Sequence, residues 1–204
     1  MEQLTEAVLA VAGSPWIYPI VFVLTVGDAF LVVVPSETIV VALGALAVSG
    51  GEPSLWLLIP IAAFAAMVGD SLSFAVGRGI GLTKFGWMRR PGVVNAFSWA
   101  RNALDRRAAA VLLTARFVPY ARIAVNLTAG ATGFRYRRFL ALTSIAGLCW
   151  ALYNIFMGAL VGAWLGANPL IAVAVSVAIA ITLGLLVDRI TTLIARRRAE
   201  RVGS

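Results

Sequence analysis

The sequence predicts an all-α polytopic membrane protein: an inverted repeat of two opposed re-entrant helical hairpins, each followed by a transmembrane helix, plus a C-terminal transmembrane helix. Hydrophobic residues make up 61% of the 204 residues and charged residues only 13%, whereas soluble domains are about half apolar and about a quarter charged. Several apolar runs reach the ~20 residues that cross a bilayer. The basic residues of this chain, whose net charge is +8, lie between those runs, as in the cytoplasmic loops of membrane proteins.

Two residue counts exclude several kinds of site. The chain has no histidine, which excludes histidine-based zinc sites, Ser–His catalytic triads and histidine-dependent lipid phosphatases. Its one cysteine, Cys149, excludes a disulfide framework within the chain. We therefore expect no catalytic or metal site and no cofactor. Because the basic residues follow the membrane pattern, we also expect no nucleic-acid partner.

The apolar runs and their interruptions divide the chain into three predicted regions. In chain order these are an interfacial amphipathic helix at 1–14, a transmembrane domain at 15–165, and a last transmembrane helix with a basic tail at 166–204. Within the transmembrane domain, the predicted elements are a hairpin near 15–50, a spanning helix near 54–77, a second hairpin near 108–134 and a spanning helix near 139–165.

Basic residues flank the second hairpin on both sides. Segment 78–107 carries seven Lys or Arg and one acid, and the basic cluster 135–138 follows the hairpin. By the positive-inside rule both flanks are cytoplasmic, so the apolar block between them must enter the membrane and return. Pro119 is the expected turning point, because proline breaks a helix. Two half-helices of roughly ten to fifteen residues, at a rise of ~1.5 Å each, reach about mid-bilayer.

The first hairpin has flanks of the opposite charge. They carry Glu2, Glu6 and Glu52 but no Lys or Arg, so both flanks are expected outside the cell, with the tip near Pro35. The alternative, in which the start of block 15–50 spans the membrane and the rest is a half-helix, stays open.

Each hairpin is followed by a helix with a small-residue pattern: Gly77-x-x-x-Gly81 after the first and Gly158-x-x-x-Gly162 after the second. Such patterns are typical of close helix packing, and the mirrored arrangement indicates an inverted-repeat transporter. The expected location is the inner (plasma) membrane, with loop 78–107 and the C-terminal tail cytoplasmic. The oligomeric state stays open.

Four charged residues fall at or near the predicted tips: Asp28 and Glu37 on the first hairpin, Arg116 and Arg122 on the second. An isolated charge at the centre of a membrane helix costs about 2.5–3.5 kcal/mol, so pairing across the hairpins is expected. Arginine binds phosphate bidentately and keeps its charge when desolvated. The set favours a site for an anionic group with an associated titratable acid, although a purely structural ion-pair network stays open.

Secondary candidates carry weaker signals. Asp70 either lines the cavity or lies near a helix end, and Asn126 is expected to contact backbone rather than a ligand. Pro35 and Pro119 are further candidates at the tips. Trp150 is expected to pack in the core or to anchor the helix at the membrane interface.

The segment ARFVPYARIAVNLTAGATGFRYRRFL, residues 115–140, resembles the signature of the DedA family, also called the SNARE-associated or VTT-domain family. The stretch VGDAFLVVVPSETIVVALGALAVSG resembles that family's first hairpin, and the likeness covers roughly residues 15–165. It implies two opposed re-entrant hairpins, with an essential acidic pair at Asp28 and Glu37 and an essential arginine pair at Arg116 and Arg122. Asp28 stands where a glutamate is common. The resemblance also implies movement of lipids between leaflets, envelope integrity and the proton-motive force.

The hypothesis is therefore a membrane lipid transporter of the flippase or scramblase type, and not an enzyme. Its expected partner is an anionic lipid, undecaprenyl phosphate or a related lipid phosphate, moved between leaflets during carrier-lipid recycling. Arg116 and Arg122 would hold the headgroup, and Asp28 and Glu37 would balance charge and couple transport to protons. Three alternatives stay open: a translocase for a phospholipid such as phosphatidylethanolamine, a proton-coupled exporter of small ions or drugs, and a structural membrane-assembly factor.

Overall fold

A computed structural model describes residues 10–30, 36–81, 86 and 91–164, with the isolated positions 171, 174–175, 178 and 182. The six helices used below are α1 (Ile17–Asp28), α2 (Ser36–Ser49), α3 (Leu55–Ile80), α4 (Pro91–Ala115), α5 (Pro119–Ala131) and α6 (Tyr136–Trp164). The described ranges contain no strand, so the predicted all-α class is confirmed there.

Parts of the prediction lie outside the described residues. These parts are residues 1–9 of the amphipathic helix, the tip around Pro35, most of the basic loop between 82 and 90, and residues 166–204 apart from the isolated positions above. The last transmembrane helix and the basic tail therefore stay predictions.

Among the described helices, α3 and α6 are long and apolar enough to cross a membrane. They have 26 and 29 residues, which is about 39 and 44 Å at a rise of ~1.5 Å, against a hydrocarbon core of about 30 Å. By contrast, α1, α2 and α5 have 12, 14 and 13 residues, or about 18–21 Å. Each of these three is too short to cross.

The chain breaks twice around α4. Arg107 has non-helical backbone angles (φ −141°, ψ 44°) and divides the helix. The next turn ends at Val118, which is extended (φ −125°, ψ 107°), as a following proline favours. Pro119 itself lies in the first turn of α5, where its missing N–H costs no helical hydrogen bond. The break expected at Pro119 therefore comes just before it.

The two long helices run antiparallel. Later residues of α3 meet earlier residues of α6: Met67 with Ser144, Asp70 with Thr143, and Phe74 with Phe139. The C-terminal end of α3 and the N-terminal end of α6 therefore meet at a basic end, which carries Arg78 and Arg135, Arg137 and Arg138. The opposite, tryptophan end carries Trp56 and Trp164, which are 88% and 92% exposed.

The first pair of short helices opens toward the tryptophan end. α1 runs parallel to α3, since Phe22 packs on Phe64 and Ala29 O accepts a hydrogen bond from Ser73. α2 then returns parallel to α6. The contacts that set its direction are Glu37 with Trp150, Val41 with Gly158, and Ala45 with Gly162. The C-terminal end of α1 and the N-terminal end of α2 therefore lie at mid-height of the bundle.

The second pair opens toward the basic end. α5 runs parallel to α3, as the contacts of Asn126 with Asp70 and of Gly130 with Arg78 require. The last part of α4 brings Arg116 to Asp70, at the middle of α3. The α4–α5 connection therefore lies at mid-height too, at the same level as the C-terminal end of α1.

Glycines allow each short helix to approach a long helix closely, and the contacts recur in both halves. On one side, a Cβ at Gly44 would lie 2.6 Å from Ile155 O, and a Cβ at Gly158 would meet Val41 O. On the other side, a Cβ at Gly130 would meet Phe74 O, and a Cβ at Gly77 would meet Leu127 O. The two sets of contacts are related by constant offsets in residue number. Adding 86 to positions 41 and 44 of α2 gives 127 and 130 of α5, and subtracting 81 from positions 155 and 158 of α6 gives 74 and 77 of α3.

The small-residue patterns thus have mixed roles. Gly77, Gly158 and Gly162 are close-packing positions, as expected. Gly81 instead has nothing within 4 Å of a built Cβ and ends α3 with φ 65°. This left-handed conformation favours glycine at a helix C-terminus.

Replacing Gly158 with alanine is expected to destabilise the protein by about 1–3 kcal/mol, because the new methyl group forces α2 and α6 apart. Gly79→Ala is the matched control, since a Cβ there meets nothing within 4 Å and alanine favours a helix. Melting temperatures in detergent micelles measure the difference. A Gly158→Ala protein that melts with the wild type would contradict the packing described here.

Two apolar clusters enclose a polar layer at mid-height. One cluster includes Val21, Leu58 and Trp150, and the other includes Phe74 and Phe139. We use the name polar layer for eight residues between them, each no more than 6% exposed: Asp28, Ser36, Asp70, Ser73, Arg116, Arg122, Asn126 and Thr143.

Candidate functional site

The polar layer is assembled where the short helices end beside the middle of the long ones. Asp28 ends α1 and Ser36 begins α2, while Arg116 lies in the turn after α4. The last carbonyl groups of a helix have no partner within it. Two buried donors satisfy such carbonyls at α1: Ser73 Oγ donates to Ala29 O at 3.1 Å and Arg122 Nη2 donates to Asp28 O at 2.8 Å.

Arg122 and Asp28 form one buried ion pair. Nη2 of Arg122 lies 3.1 Å from Asp28 Oδ2 and also binds the Asp28 carbonyl. Ser36 Oγ donates to the same carboxylate oxygen at 2.7 Å. The pair joins α1 to α5, and the serine joins both to the start of α2. A cation beside the last carbonyl of α1 also complements the negative end of the helix dipole.

Arg116 and Asp70 form the second buried ion pair, through Nη1 and Oδ2. Thr143 Oγ1 donates to the same oxygen at 2.5 Å, and Asn126 Nδ2 donates to Oδ1 at 2.8 Å. Asp70 therefore receives donors from the turn after α4, from α5 and from α6. A buried carboxylate is tolerated only when it is paired and hydrogen-bonded in this way.

Glu37 has a different environment from the two aspartates. It is half-buried in the first turn of α2, and Oε1 accepts a hydrogen bond of 3.4 Å from the indole Nε1 of Trp150. Within the described residues it forms no ion pair with Arg116 or Arg122, which are bound to Asp70 and Asp28. The ring face of Trp150 lies 5.1 Å from the Cζ atom of Arg116, a cation–π distance.

Both arginines retain hydrogen-bonding capacity. The Nε atoms of Arg116 and Arg122 are buried and have no hydrogen-bond partner among the described residues. A guanidinium carries five N–H donors in a planar fork that fits carboxylate or phosphate. The two side chains are only 2% and 5% exposed. An anion would therefore reach the free edges of these groups only when the polar layer opens.

The charges of the site do not cancel when all groups are ionised. Three acids (Asp28, Glu37 and Asp70) face two arginines, for a formal sum of −1. The acids do not converge on one point, because no group of three His, Cys, Asp or Glu side chains within the described ranges can hold a metal ion. Glu37 is the acid whose charge lacks a bound cation in this part of the chain.

The structure brings most of the predicted residues together. Arg122 pairs with Asp28 of the first hairpin, as expected, whereas Arg116 binds Asp70 instead of an acid of that hairpin. Asp70, for which a place in the cavity and a place near a helix end were both open, receives three donors at the centre. The prediction that Asn126 contacts backbone is wrong, because its amide binds Asp70 Oδ1. Pro35 lies outside the described residues.

Sequence reasoning did not identify Ser36, Ser73 or Thr143 as members of the network, and it assigned no polar contact to Trp150. Ser36 belongs to the sequence Pro-Ser-Glu, in which the charged neighbour Glu37 was the predicted site residue. Thr143 is one hydroxyl in a long apolar run, which gives no sign of its partner. Trp150 packs in the core as expected, with 1% of its surface exposed. Its contacts with Glu37 and Arg116 depend on where α6 lies beside α2 and α4.

Comparison with known proteins shows the family of this chain. Residues 34–160, well over half of the chain, match the model of the VTT domain. The protein DedA of Escherichia coli (strain K12) is 28% identical over 154 residues, covering 70% of this chain and 68% of DedA. An uncharacterized membrane protein of Mycobacterium bovis is 32% identical over 151 residues, covering 68% of each chain. A protein of the same description from Mycobacterium tuberculosis (strain H37Rv) has the same identity and coverage.

No solved structure matches this chain. The matched domain, residues 34–160, contains α2, α3, α4 and α5 and all of α6 except residues 161–164. Three of the four ion-paired residues lie in it, and Asp28 lies before it. The family match and the related chains agree with each other. This chain therefore belongs to the VTT-domain family as a membrane protein of the DedA type.

Proposed function

We propose that this protein is a membrane lipid transporter that moves undecaprenyl phosphate or a related lipid phosphate between leaflets. One observation carries the proposal: among the described residues, two buried arginines have Nε–H groups without a hydrogen-bond partner, beside a half-buried glutamate that has no bound cation. The arginines suit a phosphate headgroup, and the glutamate suits a proton that moves with it or against it. No covalent chemistry is part of the proposal.

The helix arrangement supports two opposed re-entrant hairpins. The α1–α2 pair opens at the tryptophan end and the α4–α5 pair at the basic end. The C-terminal end of α1, the N-terminal end of α2 and the turn between α4 and α5 lie at the polar layer. The repeated glycine contacts support an inverted repeat, because one pair of offsets converts the α2–α6 contacts into the α5–α3 contacts. In transporters of this kind, broken helices build a binding site near mid-membrane, between the repeats.

The polar layer supports a charged headgroup rather than an apolar ligand. Irregular backbone and charge at membrane depth persist only where protein or a water-filled cavity covers them. Next to Arg116, Phe117 is 44% exposed and its ring packs edge-on against Tyr153, with centroids 5.9 Å apart. We infer that a lipid headgroup enters past this aromatic pair while its tail stays in the bilayer.

The charge distribution supports an orientation in the plasma membrane. Arg78 and the cluster 135–138 mark the basic end, which the positive-inside rule assigns to the cytoplasm. Exposed Trp56 and Trp164 mark the other end, as expected of aromatic residues at a membrane–water interface. In this orientation the α4–α5 hairpin opens to the cytoplasm and the α1–α2 hairpin to the outside.

Purified protein reconstituted into liposomes is expected to carry fluorescent undecaprenyl phosphate between leaflets, and a pH gradient is expected to change the rate. Glu37→Gln removes the titratable group at the same volume, so the rate should lose its dependence on the gradient. Glu52→Gln, at an exposed acid in the loop before α3, is the matched control. A folded wild-type protein that moves no undecaprenyl phosphate would contradict this substrate, and labelled phosphatidylethanolamine would be tested next.

A further inference from the structure

The side chain of Trp150 links two charged residues of the site that are not paired with each other. Its indole N–H donates to Glu37 Oε1, and its ring face lies against the guanidinium of Arg116. The side chain is almost fully buried in the cluster that includes Val40 and Ile155. Packing alone explains its burial but requires neither polar contact.

The two contacts use different parts of the indole. The hydrogen bond to Glu37 lies at the ring edge, where the N–H points, whereas a cation is attracted to the ring face. Both contacts depend on the orientation of one rigid ring. A rotation that breaks the hydrogen bond therefore also moves the face away from Arg116.

We propose that Trp150 is a positioning residue that ties the state of Glu37 to the placement of Arg116. The inference rests on the proposed function, in which Arg116 binds the headgroup and Glu37 carries a proton. A charged Glu37 accepts the indole N–H and holds the ring against Arg116. When Glu37 takes up a proton, this charge-assisted hydrogen bond weakens, and the ring no longer holds the guanidinium in place.

Other charged groups also face Glu37. They are Asp28 from α1, Arg122 from α5 and Arg116 from the turn after α4, all close enough to act electrostatically. On α3, Asp70 binds Arg116, Asn126 and Thr143. Within the described residues, the direct hydrogen bond to the Glu37 side chain comes from Trp150. Besides this direct electrostatic interaction, the indole therefore provides a contact through which a change at Glu37 reaches Arg116.

Fluorine NMR of the full chain labelled with fluorotryptophan tests this coupling without any transport assay. The resonance of Trp150 is identified by its loss in Trp150→Phe. If that variant does not fold, single Trp→Phe replacements at the other five tryptophans assign the remaining resonance to Trp150. We expect this resonance to shift with pH in the wild type and to lose the shift in Glu37→Gln. Glu52→Gln should titrate like the wild type.

The link to Arg116 is tested in the same spectra. Arg116→Met combined with Asp70→Asn removes the cation and its partner charge together, and it should move the Trp150 resonance at constant pH. Arg137→Met, at an exposed arginine on α6, should leave that resonance unchanged. A Trp150 resonance that does not respond to pH, or that titrates equally in Glu37→Gln, would overturn the inference. So would a resonance that ignores the paired change at Arg116 and Asp70.

Transport measurements then separate this inference from the proposed function. Trp150→Phe keeps an aromatic face but lacks the N–H, so the pH profile should change more than the maximal rate. Trp150→Leu lacks both, and the rate should fall by about tenfold. Coupled NMR shifts in a protein that moves no lipid would leave the inference standing and reject the lipid substrate. Unchanged pH profiles in a transporting Trp150→Phe protein would reject the inference alone.

Discussion

Asp70→Asn is expected to lower the free energy of unfolding by about 3–5 kcal/mol, because it leaves Arg116 charged, buried and without its partner. For a chain of this size the change corresponds to a fall of about 10 °C in melting temperature. Thermal unfolding in detergent micelles, followed by size-exclusion chromatography of the surviving fraction, measures the effect. The loss is expected to be large because three elements converge on this one carboxylate.

A second substitution separates the unpaired charge from simple loss of packing. Adding Arg116→Met to Asp70→Asn removes the stranded cation, and at least half of the lost stability should return. Asp105→Asn is the matched control, since this exposed aspartate on α4 should change stability by less than about 0.5 kcal/mol. If Asp70→Asn melts with the wild type, Asp70 does not hold Arg116 as the structure indicates.

Arg122→Lys is expected to slow lipid translocation by about tenfold to a hundredfold while the protein stays folded. Lysine keeps a positive charge beside Asp28 and can still donate to its carboxylate and carbonyl, so the buried pair survives. It lacks the planar fork and the unpartnered Nε–H of Arg122. A lost hydrogen bond to a charged group costs about 1.5–3 kcal/mol, which corresponds to this loss of rate.

The same variant distinguishes the competing functions. Arg137→Lys, at an exposed site on α6, controls for the substitution itself and should transport normally. Full transport by Arg122→Lys would mean that Arg122 is only a counter-charge. In a proton-coupled exporter that binds its substrate through Glu37 and Asp28, export of that substrate by Arg122→Lys should be retained. If transport falls only in proportion to the amount of folded protein, the result would favour the alternative of a structural membrane-assembly factor.

The charged positions of the site were predictable from the sequence, but their partners were not. Arg116, Arg122 and Asp28 interrupt apolar runs, and charge at membrane depth must be covered by protein or water. A place for them in a buried polar layer follows from that requirement alone. Their pairing depends on which helix turns face each other at mid-height. Arg116 therefore pairs with Asp70, for which the sequence left open a place in the cavity and a place near a helix end.

The positions of the helices were likewise predictable in part. The apolar runs predicted spanning helices near 54–77 and 139–165, and the structure has them at Leu55–Ile80 and Tyr136–Trp164. The break expected at Pro119 comes at the turn that precedes it. The kink at Arg107 was not predictable in this way, because no proline or glycine occupies that position.

The sequence by itself determined the membrane class, the all-helical architecture and the residues that carry charge into the apolar core. Composition and run length decide these properties locally, because hydrocarbon admits neither unpaired backbone nor isolated charge. Only the tertiary structure decided that Trp150 lies between Glu37 and Arg116, and that Asp70 gathers Arg116, Asn126 and Thr143. Glycine contacts set how closely the short helices approach the long ones and at what height. Such a placement depends on both helices of a packed pair, so the sequence of one segment does not reveal it.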